Sequence, residues 1–181
     1  MGNFYTNVTL RGVQSSSVTA ALQMLYRQAY VAPARADCVT IFDARTESQD
    51  PNELGALAAT LSERLACVAL AALNHDDSIL ALALYDRGRL ITEYSSDSPA
   101  GTDAGRLCHA FGADAPWSRL LLAGLLRGPR PLFEIERHRL IARVLGLPPW
   151  VAGGGYTYVA QGEAPDGLDL AAVTTVGGAR A

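Results

Sequence analysis

The chain contains no lysine, and all 15 of its basic residues other than histidine are arginine. This absence excludes Schiff-base chemistry on lysine, a phosphate-binding P-loop that depends on its lysine, and a lysine general base. Abundant alanine, arginine, glycine and leucine without lysine is also what a GC-rich bacterial genome produces. Codon bias alone therefore explains the missing residue type.

Long hydrophobic runs are absent as well. No stretch approaches the roughly 18 apolar residues of a membrane span. The segment MGNFYTNVTLRG also lacks the basic region and apolar core of a secretory signal peptide. The sequence therefore predicts a cytoplasmic protein that does not associate with membranes.

Cysteine is scarce, and Cys38, Cys67 and Cys108 are odd in number and far apart. This pattern indicates free thiols that serve as small hydrophobic side chains in a reducing compartment. Cys108 and His109 are adjacent, but neighbouring residues of a helix point about 100° apart and do not face each other. We therefore expect Cys108 to be a core residue and not a catalytic nucleophile.

Charge and composition bound the remaining classes. The formal net charge is -3, which disfavours a generic nucleic-acid-binding protein because nonspecific affinity depends on a basic surface. Hydrophobic residues make up 49% of the 181 residues and charged residues 18%, which is ordinary globular composition. We expect a single α+β domain over residues 1–165 and a partly disordered tail over residues 166–181.

Hydrophobic periodicity and capping residues predict the order of the elements. Phe4 to Leu10 alternate with period two, as in a half-buried strand, and DPNELGALAATLSERLA has an Asp N-cap, an early Pro and a leucine stripe. Strands are predicted at residues 4–10, 30–33, 38–43, 67–73, 78–86 and 90–96, and helices at residues 15–29 and 50–66.

This order is the split βαβ pattern of a ferredoxin-like core, with two further strands that extend a mostly antiparallel sheet. The apolar runs CVALAAL and SILALALYD are predicted to be central strands buried on both faces. A helical C-terminal portion follows. Its predicted elements are helices at Thr102 to Phe111, Pro116 to Arg127 and Pro131 to Leu145, and a short strand at Tyr156 to Ala160.

Several segments resemble one family. They are TLRG, FDARTESQD, LNHDDSIL, LYDRGRL, PAGTDAGRLCHAFG, ERHRLIARVLGLP and GGGYTYVAQGE. Together they resemble an uncharacterised family of small bacterial cytosolic proteins, over the range from Thr9 to about Glu163. The resemblance implies a bacterial, single-domain protein. It implies no activity, cofactor or catalytic residue, because we associate none with that family.

A polar cluster of His75, Asp76 and Asp77 separates two apolar runs. An imidazole and two carboxylates are able to hold a divalent metal, or to act as acid and base if their environments separate their pKa values. Asn and Asp are also the residues that a tight hairpin turn selects, because their side chains bond nearby backbone amides and tolerate positive φ. The turn is the favoured interpretation.

Glu134 and His138 are four residues apart on the predicted helix 131–145, so they share one face. With His75 and Asp76 they would form a mixed nitrogen and oxygen metal site if the two segments met. An exposed pair that stabilises its own helix is the plainer interpretation. We therefore predict no bound metal and no cofactor.

The glycine cluster Gly153, Gly154 and Gly155 with Tyr156 is a candidate ligand loop. Phosphate loops run from strand to glycines to helix, so that the helix N-terminus meets the anion. Here the glycines follow a predicted helix and lead into a predicted strand. This order favours a flexible connection or a strand bulge, which would still let a ligand approach the backbone.

One basic segment surrounds His138 and contains Arg127, Arg130, Arg137, Arg139 and Arg143. An arginine-bearing helix is able to contact phosphates or an acidic protein. Nearby glutamates dilute the charge. A solvated helix face is the favoured interpretation.

These observations predict a noncatalytic binding or regulatory protein that acts on an unidentified protein or small-molecule partner. One alternative is a small metal-dependent hydrolase using His75, Asp76 and Asp77, and another is a nucleic-acid-binding module using the helix 131–145. The sequence does not decide whether the protein is an enzyme. It also allows a homodimer formed through a free sheet edge.

Overall fold

The computed structural model describes residues 2–99, 101–129 and 131–178. Its seven strands are β1 (Tyr5–Arg11), β2 (Ala29–Val31), β3 (Cys38–Asp43), β4 (Val68–His75), β5 (Ile79–Asp86), β6 (Arg89–Ser95) and β7 (Thr174–Val176). They form one sheet in the order β6-β5-β4-β1-β3-β2-β7, in which every neighbouring pair is antiparallel. The protein is therefore of the α+β class.

Helices lie on both faces of this sheet. They are α1 (Ser15–Met24), α2 (Pro51–Arg64), α3 (Ala104–Phe111), α4 (Pro116–Arg127), α5 (Glu134–Leu145) and α6 (Tyr156–Ala160). Because successive side chains of a strand point to opposite faces, Leu73 of β4 joins the core under α1 and α2, whereas Leu70 joins the core with α3, α4 and α5. The central strand β4 is thus buried on both faces, as predicted.

The neighbouring strand β5 differs from the prediction. Its even-numbered residues from Leu80 to Leu84 are buried, but its odd-numbered residues from Ile79 to Tyr85 are only half-buried. The expectation that β5 is buried on both faces is therefore wrong, because α2 covers only part of this face. An apolar strip of β5 is left open beside α2.

The free edge of β6 is partly blocked. Ser96 donates its backbone N–H to the carbonyl of Leu80, so by alternation the backbone groups of Glu93 point away from β5. Ile91 lies at a register shift of the β5–β6 pairing and has no paired residue on β5. The Thr102 hydroxyl donates to the Glu93 carbonyl at 2.9 Å, and the Arg106 guanidinium donates to the Ile91 carbonyl at 3.0 Å. These bonds occupy two backbone carbonyls at this edge, whereas the sheet has a second edge at β7.

Two predictions for the C-terminal portion need correction. Tyr156–Ala160 is a short helix and not a strand, because Gly155 acts as its N-cap and Glu47 accepts a hydrogen bond from the Tyr156 N–H at 2.9 Å. The segment predicted to be a partly disordered tail contributes β7, which pairs with β2. Residues 179–181 of that segment lie outside the described residues.

The three cysteines are free and buried, as the sequence predicts. Burial raises the pKa of the Cys38 and Cys67 thiols to about 11, and it also raises the pKa of Cys108. None of the helices within the described ranges has the length and hydrophobicity of a membrane span.

Candidate functional site

The cluster His75 to Asp77 forms the turn of the β4–β5 hairpin. His75 pairs with Ile79, and both Asp76 and Asp77 have positive φ, of 51° and 52°. The Asn74 side chain accepts a hydrogen bond from the Asp77 N–H at 3.0 Å, which is the local bond that makes Asn and Asp favourable in turns. The sequence therefore encodes this turn locally.

The three side chains of the turn point to different surroundings. His75 and Asp76 are exposed, whereas Asp77 is buried. One carboxylate oxygen of Asp77 accepts hydrogen bonds from the backbone and side-chain nitrogens of Asn3, at 3.0 and 2.7 Å. The Asp77 carbonyl accepts from the Glu134 N–H at 2.9 Å. The turn therefore meets the first residue of α5, but through backbone atoms.

Glu134 and His138 are both buried, at 1% exposure each, so the predicted exposed pair on the helix surface is wrong. The two side chains have separate partners. Glu134 forms an ion pair with Arg137, with 2.9 Å between Oε2 and Nε, and His138 Nδ1 lies 2.8 Å from the Tyr5 hydroxyl. Burial favours such pairing because an isolated charge is costly away from water.

His138 is held as a neutral imidazole inside the protein. Tyr5 and His138 stack with their ring centroids 5.8 Å apart, and the Asn74 amide donates to the Tyr5 hydroxyl at 3.4 Å. Nε2 of His138 is buried and has no hydrogen-bond partner among the described residues. Burial lowers the pKa of His138 to about 4 and raises that of Tyr5. This group links β1, the hairpin and α5.

The five predicted site residues do not form one metal site. Across residues 2–99, 101–129 and 131–178, no group of three or more His, Cys, Asp or Glu side chains is arranged to hold a metal ion. The exposed imidazole of His75 bonds to Gln49, whereas His138 bonds to Tyr5 inside the core. The turn and α5 are adjacent, but the imidazole of His75 lies at the surface and that of His138 lies in the core.

The arginine-bearing helix is not a uniformly solvated face, which corrects the prediction for Arg137. This side chain is 4% exposed, and its guanidinium donates to the carbonyls of Leu125 at 2.5 Å and Pro129 at 2.9 Å. It therefore caps the C-terminal end of α4. A phosphate would have to displace these bonds. Arg130 lies outside the described residues.

The glycine loop packs against the sheet and is not a flexible connection. A Cβ added at Gly154 would lie 2.3 Å from the Trp150 carbonyl oxygen and 2.6 Å from the Phe42 ring. The Asn7 side chain donates to the carbonyls of Val151 and Gly154, at 2.9 and 2.8 Å. The glycines therefore allow close backbone packing, and this accounts for the cluster without a ligand.

A concave surface lies on the open strip of β5, and we call it the α2–β5 groove. It has a volume of about 770 Å³. Its apolar lining comes mainly from α2, β4 and β5 and includes Leu54, Ala71, Leu73, Ile79, Ala81 and Ala83. Small-molecule sites typically have volumes of about 300–1,000 Å³ and predominantly apolar walls. The groove therefore has the size and lining of a ligand site.

His75 lines one end of this groove with a defined tautomer. The Gln49 amide nitrogen donates to the Asn74 carbonyl at 2.9 Å, so the amide oxygen faces His75 Nδ1, 2.6 Å away. An amide oxygen only accepts, so Nδ1 carries the proton and Nε2 of the neutral ring presents a lone pair. In its neutral form the imidazole therefore presents Nε2 as a hydrogen-bond acceptor at the end of the groove.

Tyr85 lines the other end. A Cβ added at Gly55 would lie 2.7 Å from the Tyr85 hydroxyl, so the glycine leaves room for this ring. Burial, and then the nearby Glu93 carboxylate, raise the pKa of Tyr85. Glu93 also lines the groove. The Glu93 carboxylate is therefore an acceptor at this end, and the Tyr85 hydroxyl both donates and accepts.

Sequence reasoning identified His75 but missed the groove and its other polar residues. The signal that was available is the uninterrupted apolar run SILALALYD, which requires cover on both faces of β5. A local sequence pattern does not predict how many helices the fold places over each face of the sheet. On one face of β5 the cover by α2 is incomplete, and Ala81 and Ala83 are therefore only half-buried.

No protein-family model, curated protein or solved structure matches this chain, so the resemblance to a bacterial family stays a prediction. What the protein does has to be inferred from the geometry of its own residues.

Proposed function

We propose that this is a noncatalytic binding protein whose α2–β5 groove holds a small amphipathic molecule. The observation that carries the proposal is the half-exposed apolar strip of β5 beside α2, with a volume of about 770 Å³. Isolated apolar surface residues need no explanation, but a contiguous apolar depression bordered by polar groups is characteristic of binding sites.

The length of the strip suggests an elongated ligand. Ile79 and Tyr85 are six residues apart on β5, and a strand rises about 3.3 Å per residue, so the strip is about 20 Å long. Ala81 and Ala83 lie between them and present only methyl groups. An alkyl chain or a flat apolar ring system would lie along this floor.

The polar ends favour a ligand with hydrogen-bond donors. His75 Nε2 is an acceptor at one end, and the Glu93 carboxylate is an acceptor with negative charge near the other. A carboxylate ligand would meet these groups with its own acceptors. A neutral alcohol or a cationic amine would complement them.

A catalytic role has less support. His75 bonds to an amide, whereas a nucleophilic site needs a base that is oriented by a third group and lies within reach of a nucleophile. The metal-dependent hydrolase lacks a converging ligand set among the described residues. In the nucleic-acid alternative Arg137 would contact phosphates. Its guanidinium already donates hydrogen bonds to carbonyls of α4 and of the loop after it.

We also infer a ferredoxin-like core. The connections β1-α1-β2 and β3-α2-β4 each join strands that are separated by one other strand, in the order β4-β1-β3-β2, which is the split βαβ arrangement. In this assignment β5 and β6 are additions to the core. The groove would then lie where the added strands extend beyond the two core helices.

Competition against a solvatochromic dye tests the binding proposal. Decylamine and decanol are expected to displace the dye at lower concentrations than decanoate, because they bring donors to the acceptors of the groove. Ala81→Leu or Ala83→Leu should weaken binding at least about tenfold. The three carbon atoms added by each substitution occupy space in the groove where the ligand would otherwise lie. Ala20→Leu, at an exposed position of α1, is the matched control.

Equal binding to wild-type protein, Ala81→Leu and Ala83→Leu would overturn the groove as the site. Displacement of the dye by decanoate as readily as by decylamine would refute the charge argument.

A further inference from the structure

A second, smaller cavity adjoins the α2–β5 groove, and we call it the Glu47 pocket. It has a volume of about 410 Å³, near the lower end of the range for small-molecule sites. Gln49 and His75 line both cavities, so the two share a border at the hydrogen-bonded pair of these side chains. A molecule that lies along the groove with one end at His75 would therefore extend into the Glu47 pocket.

The walls of the Glu47 pocket are polar, unlike the floor of the groove. They include the side chains of Glu47, Thr157 and Tyr158. The Tyr158 hydroxyl accepts a hydrogen bond from the Phe4 N–H at 3.2 Å, so its own proton is left to donate. One carboxylate oxygen of Glu47 accepts from the Tyr156 N–H, which leaves the second oxygen to accept. The pocket therefore offers donors as well as acceptors.

The Glu47 carboxylate is held in place before a ligand arrives. A Cβ added at Gly155 would lie 3.0 Å from Glu47 Oε1 and 2.9 Å from the Cβ of Tyr5, so the glycine allows the carboxylate to lie against the backbone. The hydrogen bond from the Tyr156 N–H, at 2.9 Å, fixes the same oxygen. A fixed polar group favours binding, because less side-chain freedom is lost when the ligand binds.

One wall of the pocket is the ring of Phe4, which is 42% exposed. The Phe4 and His75 rings are nearly perpendicular, at 86°, with their centroids 5.1 Å apart. In this arrangement His75 covers at most one face of the Phe4 ring. The face of an aromatic ring carries partial negative charge and attracts positively polarised hydrogens. An open aromatic face beside hydroxyl-binding groups fits a sugar ring, which has C–H groups on its faces and hydroxyls around its edge.

We propose that the Glu47 pocket binds the sugar head group of an alkyl glycoside whose chain lies in the α2–β5 groove. This inference rests on the proposed function, and it names the class of the ligand. Each sugar hydroxyl both donates and accepts, so it complements the mixed set around Glu47 and Tyr158. An ammonium head group would only donate, which would leave the Tyr158 proton unpaired. A carboxylate would meet Glu47 with a like charge.

Competition between octyl β-glucoside and octanol for the dye-occupied groove tests the head group, because the two molecules have the same chain. Both are used below the concentrations at which they aggregate. The glucoside is the more hydrophilic molecule, so burial of apolar surface alone would make octanol the stronger competitor. We expect the glucoside to displace the dye at a concentration at least about tenfold lower, since hydrogen bonds to a charged group are strong.

Variants of the pocket locate this preference. Glu47→Gln keeps an acceptor for the Tyr156 N–H but loses the charge, so it should reduce the preference for the glucoside to within about threefold and leave displacement by octanol unchanged. Tyr158→Phe should reduce the preference as well, because the hydroxyl donor is lost. Glu63→Gln is the matched control, since Glu63 is exposed on α2 and lines neither cavity.

Three results would count against the inference in different ways. Octanol competing as well as the glucoside, or an unchanged preference in Glu47→Gln, would overturn the head-group pocket while the groove stood. Displacement by monooctanoylglycerol at the same concentration as the glucoside would overturn the sugar, since glycerol brings hydroxyls but no ring to lie against Phe4. If neither octanol nor the glucoside displaced the dye, the groove itself would be refuted, and this inference with it.

Discussion

The buried imidazole of His138 makes stability depend on pH in a way that one substitution removes. Burial lowers the pKa of His138 from 6.5 to about 4. Below pH 6.5 the unfolded chain takes up a proton at this residue, whereas the folded chain does not until the pH reaches about 4. The free energy of unfolding therefore falls as the pH is lowered through this window.

The size of the effect follows from the two pKa values. They differ by about 2.5, and one pKa unit corresponds to about 1.4 kcal/mol, so His138 accounts for a loss of about 3 kcal/mol across the window. Above pH 6.5 both states are neutral and the residue causes no slope. Below about pH 4 both states are protonated and the loss is complete.

Urea denaturation between about pH 7 and pH 4.5 measures this loss. Carboxylates titrate in the same range, so the informative quantity is the difference between wild-type protein and His138→Asn, in which an amide takes the place of Nδ1 beside Tyr5. This difference should change by about 1.4 kcal/mol per pH unit below pH 6.5. Parallel curves for wild-type protein and His138→Asn would refute the reasoning.

Two other substitutions probe the packing that supports the sites. Arg27 donates two hydrogen bonds to the buried Asp43 carboxylate and one to Glu53. Arg27→Lys keeps the positive charge but loses the planar guanidinium that makes these bonds, so it should lower the free energy of unfolding by about 2 kcal/mol. Urea denaturation measures this change, and an unchanged midpoint would contradict it. Gly154→Ala places a Cβ against the Trp150 carbonyl and should lower the Tm by several degrees. An unchanged or raised Tm would show that the loop moves to accommodate the added carbon.

Local signals predicted much of the fold. The second helix follows from Asp50, whose side chain accepts from the Asn52 N–H at 2.9 Å, and from the leucines behind it. The bounds of α4 follow from Pro116 at its start and Gly128 after its end. The turn after Asn74 follows from its Asx bond. In each case the deciding contact lies within a few residues of the chain.

The burial of α5 could not be predicted in the same way. The run of charged residues from Glu134 to Arg139 has the composition of an exposed face. Its partners come from elsewhere: His138 meets Tyr5 of β1, and Arg137 meets carbonyls at the end of α4. A local pattern records polarity, but the cost of burying a polar group depends on what the rest of the chain brings to it.

The bonds at the edge of β6 also bear on the behaviour of the protein at high concentration. A seven-residue edge strand with free backbone groups is a template on which further chains add strands, and this is a common route to aggregation of folded proteins. Thr102 and Arg106 occupy two carbonyls of that template. Thr102 and Arg106 therefore hinder the addition of a strand at the β6 edge of the sheet.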